Sequence, residues 1–285
     1  MMRHKSFAVF ILSHGRPDNV KTVDALLRSG YSGDWYIVID NEDKRAAEYV
    51  AVYGEHVRVF DKLAISKTFD TADNFDERRT VVYARNYCFD LAEELGVEYF
   101  LQLDDDYRGF FHRFIDGDSL RARRAREIDN LFDMMLDFLS ESDALTVAFA
   151  QAGDFIGGIN GGNFAKGIMR KAMNTFFCKT SKPFKFLGRI NEDVNTYVKL
   201  GGEGKLFFTI CDVAIVQGET QQNSGGMTEV YVDNGTYLKS FYTVMYCPSC
   251  VEIRAMGPRH PRLHHKINWD CAVPKILPEW CKKEE

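Results

Sequence analysis

The first hundred residues alternate between continuous apolar runs and segments whose apolar positions recur with helical spacing. Four apolar runs predict strands buried on both faces, at residues 7–12, 35–39, 57–60 and 98–103. Three helically spaced segments predict the helices between them, at residues 20–28, 44–53 and 80–95. This order predicts an α/β fold with a mostly parallel sheet flanked by helices. Ligands of such sheets bind beyond the carboxyl ends of the strands.

The later sequence predicts an elaborated second half of the same domain. A long helix with a basic start is expected at residues 121–140. Further strands are expected at residues 144–150, 206–216 and 244–254. The glycine-rich loop at residues 157–162 either approaches a ligand closely or forms a plain turn. Because no repeat, low-complexity stretch or linker interrupts the chain, we expect one domain over residues 1–285.

Composition and charge narrow the class of protein. Hydrophobic residues make up 45% of the chain, which is enough for a sizeable core, and charged residues make up 27%, as is ordinary for a globular protein. A formal net charge of −5 argues against a general nucleic-acid coat protein, so nucleic-acid contact would need a local basic patch. No apolar run approaches the ~20 residues of a membrane span, and the seven scattered cysteines favour a reducing compartment. We therefore expect a soluble cytoplasmic protein without a membrane partner (in the host cytoplasm if the chain is viral).

The most informative stretch is the aspartate triplet Asp104, Asp105 and Asp106, which directly follows a predicted strand. Adjacent carboxylates at the end of a buried strand repel one another and lose hydration, so they need a cation. Hard oxygen ligands suit Mg²⁺ or Mn²⁺ better than zinc. Such an ion can bridge the two phosphates of a nucleoside diphosphate and stabilise its departure. The alternative is a solvated acidic turn.

Five segments of the chain resemble motifs of GT-A-fold glycosyltransferases, whose sheet is of Rossmann type. The first strand and donor loop of that fold are similar to FAVFILSHGRPDNV, and its second strand is similar to WYIVIDNED. The helix and strand that carry the metal-binding DxD motif are similar to VVYARNYCFDLAEELGVEYFLQLDDDY. The acidic acceptor-side motif is similar to GRINEDVNTYV, and a late histidine motif to RLHHKIN. The combination most closely resembles the phage TET-associated glycosyltransferases, which are associated with sugar addition to hydroxymethylated pyrimidines in DNA.

The resemblance implies roles for particular residues. Residues 1–107 would bind the nucleotide sugar, commonly a uridine diphosphate sugar, and residues 108–285 would bind the acceptor. Metal ligands would be Asp104, Asp106 and either His264 or His265. Donor contacts would come from Ser13, Arg16, Asp40, Arg85, Asn86 and Asp105. Glu192 or Asp193 would take the proton of the acceptor hydroxyl, with Asp193 preferred, and the stereochemical outcome stays open.

Most of these candidates also have a structural interpretation. Asp40 can cap a helix, Arg85 can be a surface arginine, and the Glu192–Asp193 pair can form a helix N-cap box. Three groups of basic residues are either phosphate contacts or solvated charge, near residues 121–126, 179–185 and 254–266. Four cysteines are either zinc ligands or unlinked thiols, namely Cys247, Cys250, Cys271 and Cys281. Three aromatic residues can stack on a base but favour the core: Phe176, Phe177 and Phe184.

Three functions follow as hypotheses. The leading one is metal-dependent transfer of a sugar from a nucleoside-diphosphate donor to a hydroxymethylated pyrimidine in DNA. A second keeps the same enzyme class and assigns a saccharide or protein acceptor. A third is a nucleotide-sugar-binding module without catalysis, which the intact triplet and the Glu192–Asp193 pair argue against.

Overall fold

A computed structural model of the protein describes residues 6–73, 76–161, 175–217, 240–256 and 262–272. The strands within these ranges are β1 (Phe7–Leu12), β2 (Asp34–Asp40), β3 (Val57–Phe60), β4 (Tyr99–Asp104), β5 (Tyr107–Asp116), β6 (Ser119–Arg124), β7 (Ala144–Gln151), β8 (Phe176–Lys179), β9 (Leu206–Gln217), β10 (Val251–Met256) and β11 (Arg262–Ile267). The helices are α1 (Lys21–Arg28), α2 (Ala46–Tyr53), α3 (Lys62–Ser66), α4 (Val82–Glu94), α5 (Ile128–Glu141), α6 (Glu192–Gly202) and α7 (Trp269–Ala272). Residues 240–246 are also helical.

One sheet organises the described fold, with strands in the order β3-β2-β1-β4-β8-β7-β9-β5-β6. The first four of these strands are parallel, which confirms the prediction for the first half of the chain. Beyond them the sheet is mixed, because β8 runs antiparallel to both neighbours and β5 runs antiparallel to β6 and β9. Both halves of the chain therefore contribute to one sheet. The strands β10 and β11 form a separate antiparallel hairpin.

The core lies on both faces of this sheet, because successive side chains of a strand point to opposite sides. On one face Val9 and Ile11 pack with α1 and with Phe132 of α5. On the other face Phe10 and Phe100 pack with Phe89 of α4. The continuous apolar runs are explained by this double burial. Helices thus cover both faces, as the predicted α/β class requires.

Two predicted elements begin at the wrong residue. The basic start of the expected helix at 121–140 is the strand β6, and α5 begins only at Ile128. Residues 119–124 pair with 111–116 across a turn at Gly117, whose φ of 58° suits glycine. The expected strand at 244–254 begins instead as the end of a helix, and pairing with β11 starts at Val251. None of the described helices is long and apolar enough to cross a membrane.

Candidate active site

The ends of three parallel strands bring the candidate residues together. Leu12 of β1 lies beside Asp104 of β4, so the next residues, Ser13 and Asp105, face each other. The Ser13 hydroxyl donates to Oδ2 of Asp105 at 2.5 Å. β2 ends at Asp40, two residues beyond the partner of Leu12. The predicted meeting of these strand ends is therefore confirmed.

Asp105 anchors the loop that follows β1. Its Oδ1 accepts a hydrogen bond from Nη2 of Arg16 at 2.9 Å, and its side chain is buried. Burial raises the pKa of Asp105 to about 6, against the opposing effects of Arg16 and Ser13. The Tyr49 hydroxyl completes the loop, since it lies 2.7 Å from Oγ of Ser13 and accepts from the backbone N–H of Arg16. Arg16, with part of its side chain still exposed, is thereby fixed at the strand ends.

Thr22 of α1 fixes the backbone of the aspartate triplet. Its hydroxyl donates to the carbonyl of Asp104 at 2.6 Å, and its backbone N–H donates to the carbonyl of Asp105 at 3.2 Å. The N–H of Tyr107 donates back to the Thr22 hydroxyl. This role could not be predicted from the sequence, because an isolated threonine at a helix start has many uses.

Arg85 connects the triplet to the acidic pair of α6. From α4, its Nη2 donates to Oδ1 of Asp104 and its Nε donates to Oε1 of Glu192, both at 2.9 Å. The arginine is buried and packs on the rings of Phe176 and Phe186. A planar guanidinium suits this double contact because its donors point in fixed directions. Arg85 is therefore a buried link between two carboxylates, and the surface alternative is wrong.

Repulsion within the carboxylate cluster favours a cation. Burial raises the pKa of Asp104, and the charges of Asp106 and Asp193 raise it further against the pull of Arg85. Burial and the charge of Asp105 likewise raise the pKa of Asp106. Among the described residues, no three His, Cys, Asp or Glu side chains already converge as a metal-binding group. The donor set nevertheless fits Mg²⁺ or Mn²⁺, because Asp104 and Asp106 offer hard, partly exposed oxygens whose repulsion a divalent ion would relieve.

Asp40 is held by two basic side chains. Its Oδ2 lies 2.8 Å from Nδ1 of His14 and 3.2 Å from Nζ of the buried Lys62. Burial raises the pKa of Asp40, but the hydrogen bond with His14 and the charge of Lys62 outweigh burial and leave it below the usual value. Asp40 does not cap α2, which begins after Arg45 without a side-chain cap. The sequence reasoning missed His14 and Lys62, because only the fold brings them to Asp40.

The Asn86 side chain hydrogen-bonds to the backbone of a segment 100 residues later in the chain. Its Nδ2 donates to the carbonyl of Phe186 at 3.0 Å, and its Oδ1 accepts from the N–H of the same residue at 2.8 Å. The side chain is fully buried. Asn86 thus holds the segment that leads into α6.

Asn191, the residue before α6, contacts one of the two candidate histidines. Asn191 adopts the left-handed conformation, with φ 60°, and its Nδ2 lies 3.4 Å from Nδ1 of His265. Nδ1 of His264 lies instead 2.7 Å from the carbonyl oxygen of His265. The structure therefore brings His265 to the start of α6, next to Glu192. Asp193 follows Glu192 and is only partly buried.

The remaining sequence candidates divide between core, surface and undescribed residues. Phe176, Phe177 and Phe184 are buried, which confirms their assignment to the core. The Sγ atoms of Cys247 and Cys250 lie 2.8 Å apart, whereas Cys281 lies outside the described residues. Residues 157–161 of the glycine-rich loop form a short turn, and its last glycine, at 162, lies outside the described part of the chain.

Comparison with solved structures finds glucosyl-3-phosphoglycerate synthase from Mycobacterium tuberculosis. Its complex with Mg²⁺ and uridine diphosphate has a TM-score of 0.44 and 10% identity, covering 92% of this chain and 88% of that chain. Its complex with Mn²⁺, uridine diphosphate and phosphoglyceric acid has a TM-score of 0.45 and 9% identity, covering 95% and 88%. No curated protein sequence matches. The model of the TET-Associated Glycosyltransferase family matches residues 7–226, well over half of the sequence, and the chain therefore belongs to that family, as its motifs predicted.

Proposed function

We propose that this glycosyltransferase moves a sugar from a uridine diphosphate donor to a hydroxymethylated pyrimidine base in DNA. The observation that carries the proposal is the pair of contacts through Arg85, at 2.9 Å to Asp104 and 2.9 Å to Glu192. They join the metal-side carboxylates to the acceptor-side acids across one buried side chain. Donor and acceptor chemistry would then meet in a fixed geometry, which is how transferases lower the barrier.

The donor side is assigned to the strand ends. Asp104 and Asp106 would hold Mn²⁺ or Mg²⁺, with His265 the better placed of the two histidines. When bound, the ion neutralises charge that develops on the diphosphate leaving group. Arg16, fixed by Asp105 and partly exposed, suits a phosphate oxygen. Asp40 stays ionised beside His14 and suits a hydroxyl or N–H donor of the nucleoside.

The acceptor side is assigned to the start of α6. Glu192 is buried against Arg85, so it acts as the partner of that arginine. Asp193 is more exposed and is the proposed base. It would take the proton of the hydroxymethyl group while the hydroxymethyl oxygen bonds to the anomeric carbon. The bond from that carbon to the diphosphate oxygen breaks in the same step, so the anomeric configuration inverts.

DNA is the favoured acceptor because family membership supports it and the resemblance links the family to hydroxymethylated pyrimidines. A base inside a duplex must leave the stack before its hydroxymethyl group can reach a carboxylate. Saccharide and protein acceptors are tested as alternatives in the same experiment.

Mass spectrometry of digested DNA tests the proposal. The protein is incubated with Mn²⁺, a panel of nucleotide sugars, and DNA that contains either hydroxymethylcytosine or cytosine. We expect a gain of one sugar mass on hydroxymethylcytosine alone, and no gain with the Asp193→Asn variant. Donor hydrolysis without any gain on DNA would keep the enzyme class and reject the DNA acceptor. A protein that binds uridine diphosphate but neither hydrolyses nor transfers would favour the binding-module alternative.

A further inference from the structure

The hairpin of β5 and β6 carries an unusual concentration of positive charge. Residues 107–126 contain six arginines and two aspartates, although the whole chain has a net charge of −5. The arginines are Arg108, Arg113, Arg121, Arg123, Arg124 and Arg126. Among the described residues only Arg121 of this group has an ion pair, with Asp116 at 3.6 Å. The charge of the hairpin is therefore largely uncompensated within the described fold.

The hairpin lies at an edge of the sheet and is accessible. β6 is the last strand of the nine-stranded sheet, and none of its side chains is fully buried. Charges on an edge strand also prevent pairing with another chain, and side chains of either sign would serve that purpose. β6 has only arginines as charged residues, which favours an anionic partner over simple edge protection.

The hairpin begins at the candidate active site. β5 starts at Tyr107, the residue after Asp106. Ala148 of β7 packs in the apolar cluster that includes residues of α4. Ala150 lies two residues later, on the same face of the sheet, and packs with Phe155 and Leu120. The Leu120 side of the hairpin therefore belongs to the face of the sheet that carries α4 and the Arg85–Asp104 contact.

Two arginines on this face are held in place by aromatic rings. The guanidinium carbon of Arg113 lies 4.8 Å from the ring centre of Phe155, and that of Arg124 lies 4.9 Å from the ring centre of Phe111. Stacking fixes the plane of each guanidinium. Nη1 of Arg124 donates to the carbonyl oxygen of Arg108 at 3.3 Å, which leaves its other N–H groups for phosphate oxygens. Nε of Arg113 is buried and has no hydrogen-bond partner among the described residues.

The hairpin has a length that suits a nucleic-acid backbone. Arg124 pairs with Phe111, five residues beyond Asp106, and Arg113 lies seven residues beyond Asp106 on the same face. At ~3.3 Å per residue these positions are about 17 and 23 Å along the strand from the triplet. Base pairs of duplex DNA rise ~3.4 Å each, so the two arginines would reach phosphates about five to seven base pairs from the reacting base.

We infer that the β5–β6 hairpin docks the phosphate backbone of the acceptor DNA while the target base occupies the site at the triplet. This inference rests on the proposed function. Phosphate contacts supply affinity and position without reading sequence, so the hairpin would hold any duplex that carries the modified base.

A double variant, Arg113→Gln with Arg124→Gln, removes the two arginines of this face and tests the inference against a matched control, Arg28→Gln with Lys67→Gln. The control removes two exposed charges outside the hairpin. Binding of a 20-base-pair duplex with hydroxymethylcytosine is measured by fluorescence anisotropy between about 50 and 200 mM KCl. We expect the hairpin variant to bind at least ~10-fold more weakly, with a salt slope smaller by about 2, since each phosphate contact contributes ~0.9. The control should match the wild type.

Donor hydrolysis and transfer to the free nucleoside, hydroxymethyldeoxycytidine, are measured in parallel. The inference predicts that both stay unchanged in the hairpin variant, because the charge change lies outside the donor site. DNA affinity and salt slope equal to the wild type would overturn the hairpin assignment and leave the proposed function standing. If the wild type hydrolyses donor but neither binds nor modifies DNA, the proposed acceptor itself fails, and the hairpin inference fails with it.

Discussion

Nη2 of Arg85 lies 2.9 Å from Oδ1 of Asp104, on a side chain that is 2% exposed. Burying an arginine is costly unless its charge is paired, and here the neighbouring Nε donor of the same guanidinium is paired with Glu192. The three groups are therefore stable only together, which makes Arg85 a structural part of the site as well as a link between its two sides.

Arg85→Met should lower the free energy of unfolding by about 3 kcal/mol, because the buried Glu192 and the partly buried Asp104 would lose their counter-ion. Urea denaturation measures the change. Arg28→Met, at an exposed position of α1, should shift stability by less than about 0.5 kcal/mol. A loss no larger than that of the control would mean that Asp104 and Glu192 find other partners.

Asp104→Asn and Asp106→Asn should each weaken Mn²⁺ binding by at least about 10-fold, since even the loss of a group that only hydrogen-bonds to a metal ligand can cost that much. Calorimetric titration with Mn²⁺ in the presence of uridine diphosphate measures the affinity. Neutralising Asp106 also relieves repulsion in the cluster, so Asp106→Asn should not destabilise the folded state by more than about 1 kcal/mol. Asp104→Asn also removes a charge partner of Arg85 and should be the less stable of the two variants. The exposed Asp24→Asn is the control. Unchanged Mn²⁺ affinity in both triplet variants would reject the metal assignment.

Asp40 should make stability depend on pH at the acidic end. Its pKa in the folded protein lies below the ordinary 3.8, since His14 and Lys62 outweigh burial. The ionised carboxylate therefore stabilises the folded state above that value, and this stabilisation is lost as pH falls through the folded pKa. The difference in unfolding free energy between wild type and Asp40→Asn should be largest near pH 5 and should shrink below about pH 4. A difference that is constant from pH 5 to pH 3 would contradict the pairing.

The Asn86→Ala variant distinguishes a structural role of Asn86 from a contact with the nucleotide-sugar donor. Loss of the side chain leaves the N–H and carbonyl of Phe186 without their partner, which costs about 1–3 kcal/mol for each buried group. Thermal denaturation should therefore show clear destabilisation, while the affinity for uridine diphosphate stays within about twofold. Unchanged stability with weaker nucleotide binding would instead make Asn86 a donor contact, as the resemblance implies.

The first half of the fold could be predicted because its signals are local. Strands buried on both faces leave continuous apolar runs, and parallel strands bring their polar ends to one edge. The link through Arg85 could not be predicted, because Asp104 and Glu192 come together only when α6 packs beside α4. The β5–β6 hairpin was missed for a different reason. Its arginines show no apolar alternation, and only pairing across Gly117 makes them a strand.

The choice between the two histidines also needed the structure. Neighbouring residues of a strand point to opposite sides, so sequence adjacency cannot tell which one meets α6. The contact of His265 with Asn191 depends on how the β10–β11 hairpin packs. The same applies to Lys62, whose contact with Asp40 comes from the position of α3 after β3.

The insertion of β8 between β4 and β7 has a consequence for biosynthesis. β4 is complete about 70 residues before β8 leaves the ribosome. At ~5–20 residues per second, a nascent chain spends roughly 4–14 s with one side of a largely apolar strand unpaired. Exposed strands of this kind invite intermolecular pairing, so the growing chain is most vulnerable to aggregation, and most open to chaperone capture, during this interval.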